Sequence, residues 1–258
     1  TGALTKPGIS TTGVIGETFS LVPDCGFSGG RRTRPCTVAN TPQANGAAGA
    51  GDLDYVPGQV SSSSIAVAAN SKISACSEAT RNDYTKAVAG CDQTTIYACG
   101  VSGANTVDLS EDPGPSRNDS VNAAACLINA GGSGRDQGQD VLAPDGTPYT
   151  YPFQINAGTN SALPAAGIAS GSQTTSSPSV VSLPIYDSTV AIKPTGTTSV
   201  TVVGFLQVFI NSVNSTTGAI SVTVMNVAGC GNSAASPPVY GTSPVPVRLI
   251  TPPVAATP

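Results

Sequence analysis

The sequence predicts a mainly β protein: an antiparallel β-sandwich with long disulfide-pinned loops and one or two short helices. Strand-like runs follow one another through residues 179–250, with turn residues between them. The chain also contains 29 Gly and 21 Pro, residues that terminate strands and form turns. Seven cysteines fit an oxidising compartment better than the cytosol, where thiols are kept reduced. Together these observations favour a sheet protein with pinned loops.

The core strands are predicted in the last third of the chain. Residues 179–186 and 188–193 are strand-like, and 198–213 is apolar on both faces, as in a central strand covered on both sides. Residues 220–224 alternate apolar and polar after a turn and predict the hairpin partner. Two prolines place the last strand, 245–250, at an edge. The predicted faces of the central strand are Val200, Val202, Leu206, Val208 and Ile210 on one side, and Val203, Phe205 and Phe209 on the other.

The rest of the chain divides into an N-terminal segment and one β-rich domain. Residues 1–22 are interpreted as a first strand or an arm that is exchanged between subunits, and 23–258 as the domain, which is rich in loops and Cys up to about residue 170. Weak helical periodicity occurs at 78–90. The better helix prediction is 119–130, where Asp or Ser can cap the first turn and a Gly pair ends the helix.

The cysteine spacings favour disulfides over zinc, because they contain no CxxC and the chain has no His. Close spacing favours Cys25–Cys36 and Cys91–Cys99. The remaining Cys76, Cys126 and Cys230 then share the third bridge, and an odd thiol is left over or is paired with another subunit.

Composition excludes several classes of partner. Charged residues make up 10% of the chain, against about 25% in an average protein, and the net charge is −4. Nucleic-acid binding needs a basic surface, so it is not expected. No apolar run is long enough to span a membrane. An export segment is expected to have been removed ahead of Thr1.

The sequence predicts no catalytic, cofactor or metal site. The segment Gly26–Gly30 resembles the GxSGG of serine proteases, but no His can act as its base. A Ser/Lys pair has no SxxK pattern to support it, and a hydrolase using two carboxylates is the third hypothesis for function. Acidic loop residues match no calcium-binding spacing and are interpreted as turn carboxylates. These residues are Asp52, Asp54, Glu111, Asp112, Asp136, Asp140 and Asp145.

Two sequons and one hydroxyl-rich tract are candidate sites for attached sugars. Asn118 and Asn214 each begin an N-x-S/T sequence at an expected turn or loop edge. Ser170–Ser182 is a candidate for O-linked sugar, with a flexible linker as the alternative. Sugar would help to explain the solubility of so uncharged a surface.

Six stretches from about residue 55 onward are packing and turn motifs without catalytic content: Tyr55–Gly58, Asn82–Cys91, Tyr151–Gly158, Gly204–Ile210, Val227–Gly231 and Pro244–Ile250. In these stretches the chain resembles the exported region of Tad-type (TadG-like) pilus-assembly and surface proteins of environmental bacteria. The resemblance implies a role at the cell surface or in a filament. The family's membrane-anchoring N-terminal helix does not occur in this sequence.

The resulting hypothesis is a non-enzymatic subunit of an extracellular filament, located outside the cell or on a bacterial surface and assembled from copies of itself. A β-prone segment, either 9–22 or 244–254, would add a strand to the next subunit. The alternative is a monomeric secreted adhesin or carbohydrate-binding module, in which the same segments complete their own sheet. The candidate assembly residues are Val14, Ile15, Phe19, Leu21, Val245, Val247 and Leu249.

Overall fold

The structure of the 258-residue chain is a computed structural model. It describes residues 15–23, 27–28, 31–32, 53–55, 76, 83–91, 95–108, 117–131, 138–143, 153–160, 168–187, 196–215, 218–230 and 239–240. The predicted strands at 188–193 and 245–250 lie outside these residues.

The described residues form fourteen strands and two helices. In chain order they are β1 (Thr18–Pro23), β2 (Phe27–Ser28), β3 (Arg31–Arg32), β4 (Leu53–Tyr55), α1 (Asp83–Ala89), β5 (Ile96–Tyr97), β6 (Asn105–Asp108), α2 (Arg117–Leu127), β7 (Val141–Ala143), β8 (Gln154–Asn156), β9 (Gln173–Thr174), β10 (Val180–Tyr186), β11 (Thr197–Val200), β12 (Val202–Asn214), β13 (Ala219–Gly229) and β14 (Val239–Tyr240).

A five-stranded sheet in the order β10-β12-β13-β1-β4 organises the molecule. Its neighbours are antiparallel except for β1 and β4, which run parallel. The 13-residue β12 and 11-residue β13 form a long hairpin. β12 lies inside the sheet. The prediction of a central strand covered on both faces is confirmed for its middle part, where Leu206, Val208 and Ile210 belong to one buried cluster and Phe209 to another.

The helices cover one face of this sheet, which we call the helix face. Leu206, Val208 and Ile210 of β12 alternate toward it and belong to one buried cluster with Val121 and Ile128, in and just after α2. Alternate residues of a strand share a face, so these three point the same way. The helix expected at 119–130 is confirmed at Arg117–Leu127. The weaker periodicity at 78–90 corresponds to α1.

A three-stranded sheet, β7-β8-β9, covers the opposite face, which we call the small-sheet face. Leu142 and Ile155 from this small sheet pack with Val180 and Phe209 of the main sheet in a second buried cluster. Two sheets packed on a shared apolar layer form a β-sandwich. The predicted fold class is confirmed: a mainly β, antiparallel sandwich with two short helices and disulfide-linked loops.

The predicted strand 198–213 is interrupted at Thr201, which corrects one detail of the sequence analysis. Val200 belongs to β11, which pairs with β6 in a separate two-stranded sheet. Val202 begins β12 and forms a bridge with Cys99. Val203, expected to pack on the face of Phe209, is 43% exposed. The break coincides with the bridge to Cys99, which is about a hundred residues away in the sequence. The sequence pattern around Thr201 therefore could not predict it.

Two disulfides lie within the described residues, Cys76–Cys126 and Cys99–Cys230, with Cα–Cα distances of 4.7 and 5.3 Å. The expected Cys91–Cys99 bridge is wrong. Cys91 follows α1 in a left-handed turn with φ of 53°, whereas Cys99 lies against the end of the β12–β13 hairpin that carries Cys230. Cys25 and Cys36 lie outside the described residues.

Candidate functional site

The candidate site is the position that β1 occupies between β13 and β4, which we call the β1 slot. Four consecutive residues of β1, Thr18 to Leu21, pair antiparallel with β13. Its last three residues pair parallel with β4. The ladder starts at the turn before β1, where Gly16 N–H donates to Val224 O at 2.7 Å and Val224 N–H donates to Glu17 O at 2.9 Å. Backbone bonds therefore hold β1 on both edges.

The side chains of β1 alternate between the two faces of the sheet. Leu21 is buried in the helix-face cluster and Phe19 packs against that cluster. On the other face, Thr18 Oγ1 lies 2.9 Å from Thr223 Oγ1, which also accepts a hydrogen bond from Asn211 Nδ2 at 2.9 Å. A one-residue slip would put Phe19 on the polar side and Thr18 in the apolar cluster. The slot therefore specifies its register through both faces.

Strand β10 forms one edge of the sheet, and Pro184 restricts what can pair with it. Ile210 N–H donates to Ser179 O, and antiparallel pairs alternate, so Val180, Ser182 and Pro184 direct their backbone groups away from β12. Val180 N–H is already bonded to Ser177 O, and Pro184 has no N–H. Proline at outward-facing positions is a common way to block an exposed strand edge.

A cluster of buried hydroxyls connects β4 with both helices. Tyr84 of α1 lies 2.8 Å from Ser120 Oγ of α2, hydroxyl to hydroxyl. The Tyr55 hydroxyl, on β4, is buried beside them and has no hydrogen-bond partner among the described residues. Burial raises the pKa of Tyr84 to about 12 and shifts the pKa of Tyr55 in the same direction. Both phenols are therefore neutral at ordinary pH and support one wall of the β1 slot.

A buried carboxylate connects the small sheet to the main sheet. Asp140 is 2% exposed, and its two oxygens accept from Gly158 N–H at 2.8 Å and from Ser177 Oγ–H at 2.7 Å. Ser179 N–H in turn donates to Ser177 Oγ. Gln139 Nε2 donates to Asn211 O on β12, while its Oε1 has no partner among the described residues. These bonds fix where β7 meets the edge of the sandwich.

The structure brings together only some of the predicted site residues. Phe19 and Leu21 share the helix-face side of β1, and Ile15 is 45% exposed in the turn before it. Asn214 is exposed at the end of β12. Asn118 lies in α2, and Ser120 of its sequon is 1% exposed and bonded to Tyr84. Four candidates lie outside the described residues: Val14, Val245, Val247 and Leu249.

Sequence reasoning missed three polar residues that are buried in the structure. Thr223 was assigned to the solvated face of a half-buried strand, yet it is completely buried. Ser120 was interpreted as a helix cap or sequon residue, and Asp140 as a turn carboxylate. A signal did exist for Thr223, because β-branched Thr opposite Thr is a favourable cross-strand pair. Recognising it requires the register of two strands about 200 residues apart.

The two disulfides indicate an oxidising, non-cytoplasmic environment. No helix in the described part of the chain has the length and hydropathy needed to cross a membrane. Within the same residues, no three His, Cys, Asp or Glu side chains are grouped as a metal site would require. Comparison of the chain with protein-family models, curated proteins and solved structures gave no match.

Proposed function

We propose that this protein is a structural subunit of an extracellular filament or pilus-like surface appendage, assembled head-to-tail by β-strand addition. One observation carries the proposal. The β1 slot is an internal position of the main sheet, bounded by backbone ladders on both edges and by register-specific contacts on both faces. Any copy of the chain carries a strand that fits it.

Strand addition suits this slot because most of its binding groups belong to the main chain. The ladders supply affinity, and the alternating contacts of Phe19 and Leu21 with the helix-face cluster supply specificity. A contact between two different surfaces of identical subunits is heterologous. When such contacts do not close into a ring, they produce a filament.

The location and modification of the protein form part of the proposal. The disulfides support an oxidising compartment, and the resemblance to Tad-type proteins extends this to the outside of the cell or the bacterial surface. Exposed Asn214, beside the β12–β13 turn, is the better placed of the two sequons for a covalent glycan. The proposal includes no catalytic role, cofactor, nucleic acid or membrane partner.

Electron microscopy of the oxidised full chain tests this function. We expect unbranched polymers of uniform width that lengthen as the protein concentration rises, accompanied by a loss of monomer in analytical ultracentrifugation. A species that stays monomeric at all concentrations, and when isolated from producing cells, would exclude a filament subunit.

A monomeric adhesin or carbohydrate-binding module is the second candidate, and two observations favour it. β1 already completes the sheet of its own chain. In addition, Tyr97 and Phe205 stack edge to face with their ring centroids 5.7 Å apart, and Val203, two residues before Phe205 on the same strand, is 43% exposed. Aromatic rings near apolar surface are a common base for sugar binding. This candidate predicts saturable glycan binding by the monomer that Tyr97→Ala weakens at least tenfold.

A further inference from the structure

We infer that β1 is the strand exchanged between subunits, and that it docks between β13 and β4 of a second copy of this chain in the register that it has here. This inference rests on the proposed function and identifies its interface. The sequence left two donor segments open, 9–22 and 244–254, and did not identify the acceptor. Of the two segments, 9–22 contains a described strand, β1, and the connections, edges and register of the main sheet identify its acceptor.

The lengths of the segments that connect the strands show which strands must come from one chain and which can come from two different subunits. A turn at residues 215–218 joins β12 to β13, and Gly218 N–H closes it on Asn214 O at 2.8 Å. Those two strands therefore belong to one chain in any assembly. Between β1 and β4 lie 29 residues, which include the short β2–β3 hairpin, and the 20 residues after β3 alone reach about 65 Å when fully extended. That length is enough for β1 to sit in one subunit and β4 in the next.

The opposite edge of the sheet is a poor acceptor. Before the bulge at Ile185/Tyr186, β10 has three outward-facing residues, and Ser182 is the one whose N–H can pair with an added strand. Pro184 removes the next donor along the edge. A continuous ladder cannot form there, whereas β13 offers a complete ladder to Thr18–Leu21. Edge addition at β10 is therefore disfavoured compared with replacement of β1.

Exchange preserves every contact that β1 makes, because the incoming strand has the same sequence. Thr18 meets Thr223, Phe19 pairs with Val222, and Leu21 pairs with Ile220, whether the strand comes from the same chain or from another. Domain swapping of this kind costs little, since the closed and exchanged forms share one interface. If each subunit passes its β1 to the next subunit, the result is an open linear assembly.

Mixed cross-linking tests the exchange. Thr18 and Thr223 are opposite each other in a pair that lies between hydrogen-bonded positions, where the side chains are closest, so cysteines there are within disulfide reach. One sample carries Thr18→Cys in unlabelled protein and the other carries Thr223→Cys in ¹⁵N-labelled protein. The samples are mixed, polymerised and mildly oxidised. Peptide mass spectrometry then looks for a bond between positions 18 and 223 that joins light and heavy chains.

We expect this mixed bond in polymers and at least tenfold less of it in the monomer fraction. The matched control mixes Ser212→Cys with Ser221→Cys, which pair across the β12–β13 hairpin and so cannot meet between chains. Polymers that give no mixed 18–223 bond would overturn the exchange of β1 and leave the filament function intact. If no polymers form, the result contradicts both the filament function and the exchange of β1.

Cryo-electron microscopy of wild-type polymers provides a second measurement that needs no variant. Continuous density from β1 of one subunit into the body of its neighbour supports the exchange. Density that connects β1 to its own β4, with the subunits meeting elsewhere, overturns the exchange even though filaments exist. The cross-link and the density test the same connection independently.

Discussion

The two faces of the main sheet are stabilised by different means. On the helix face, Leu206, Val208 and Ile210 pack on an Ala-rich helix, and Cys76–Cys126 adds a covalent connection to that helix. On the small-sheet face, Phe209 anchors a smaller apolar cluster, and much of the remaining connection depends on the carboxylate of Asp140.

This difference shows how one sheet can carry two layers of unequal strength. The helix face relies mainly on the burial of apolar side chains, which is non-directional, and on a covalent cross-link. The small-sheet face depends on a few directional hydrogen bonds, which lose most of their value when one partner is removed. We therefore expect the small sheet to respond more sharply to single polar substitutions.

Removal of the covalent connection should have the largest effect. In Cys76→Ala/Cys126→Ala, the unfolded chain loses a cross-link spanning 50 residues, which in the chain-entropy model costs about 4 kcal/mol. Urea unfolding followed by circular dichroism measures the loss. Ser170→Ala/Ser172→Ala, at two exposed positions, is the control and should change the free energy of unfolding by less than about 1 kcal/mol. Equal losses in the two variants would contradict a stabilising bridge on the helix face.

Asp140→Ala should be the most damaging single polar substitution. It leaves Gly158 N–H and Ser177 Oγ–H buried without their acceptor, at a cost of about 3 kcal/mol. Asp140→Asn keeps one acceptor oxygen and should lose less. Lys86→Ala is the control, because its ion pair with Asp83 contributes about 0.5 kcal/mol. If Asp140→Ala behaves like Lys86→Ala in urea unfolding, the small sheet does not depend on the carboxylate.

Alkaline pH should weaken the helix face selectively. The pKa of Tyr84 is raised by burial to about 12, against about 10 in the unfolded chain. The tyrosine's contribution is fully present below pH 10 and is lost as pH rises toward 12, because the unfolded chain releases the proton first. We expect a loss of about 2 kcal/mol over this range.

Urea midpoints between pH 8 and 12 measure the alkaline effect. Tyr55→Phe/Tyr84→Phe removes both phenols and should flatten the profile over the same range. A wild-type profile as flat as that of the double variant would show that the two buried phenols do not control alkaline stability.

Two single serine substitutions, one on each face, should have the smallest effects on the free energy of unfolding and compare the two faces most directly. Ser177→Ala removes a donor to a carboxylate, and Ser120→Ala removes a hydroxyl partner of neutral Tyr84. Hydrogen bonds to charged groups contribute more than neutral ones, so we expect losses of about 2 and about 1 kcal/mol respectively. Chemical unfolding under identical conditions compares them, and the reverse order would contradict the account of the two faces.

The sequence predicted the layers better than the connections between them. Alternation in β12 and β13 identified the central hairpin, and helical spacing from Val121 to Ile128 located α2, because both patterns are local. At Thr201 the long apolar run divides into β11, which pairs with β6, and β12, whose first residue bridges to Cys99, and both contacts are non-local. Cysteine spacing failed for the same reason: Cys99 bonds a residue 131 positions away.

The β1 slot was predicted in part. A β-prone run around Phe19 and Leu21 indicated a strand, and its apolar alternation matches the face that it presents to the helix cluster. The sequence could not show that β1 lies between β13 and β4, because pairing depends on which strands are adjacent in space. It also could not show the contact between Thr18 and Thr223, which requires that pairing.

The two described bridges overlap along the chain, since Cys99 lies between the members of one and Cys126 between the members of the other. Under a pulling force applied outside both loops, the tension passes from one bridge to the other through the shortest segment between them, the 23 residues from Cys76 to Cys99. The hairpin and the small sheet lie in the much longer segment from Cys126 to Cys230 and so add no extensible contour length. Strands β1 and β4 fall outside both loops, so mechanical peeling would begin with them and leave the hairpin and the small sheet unstretched.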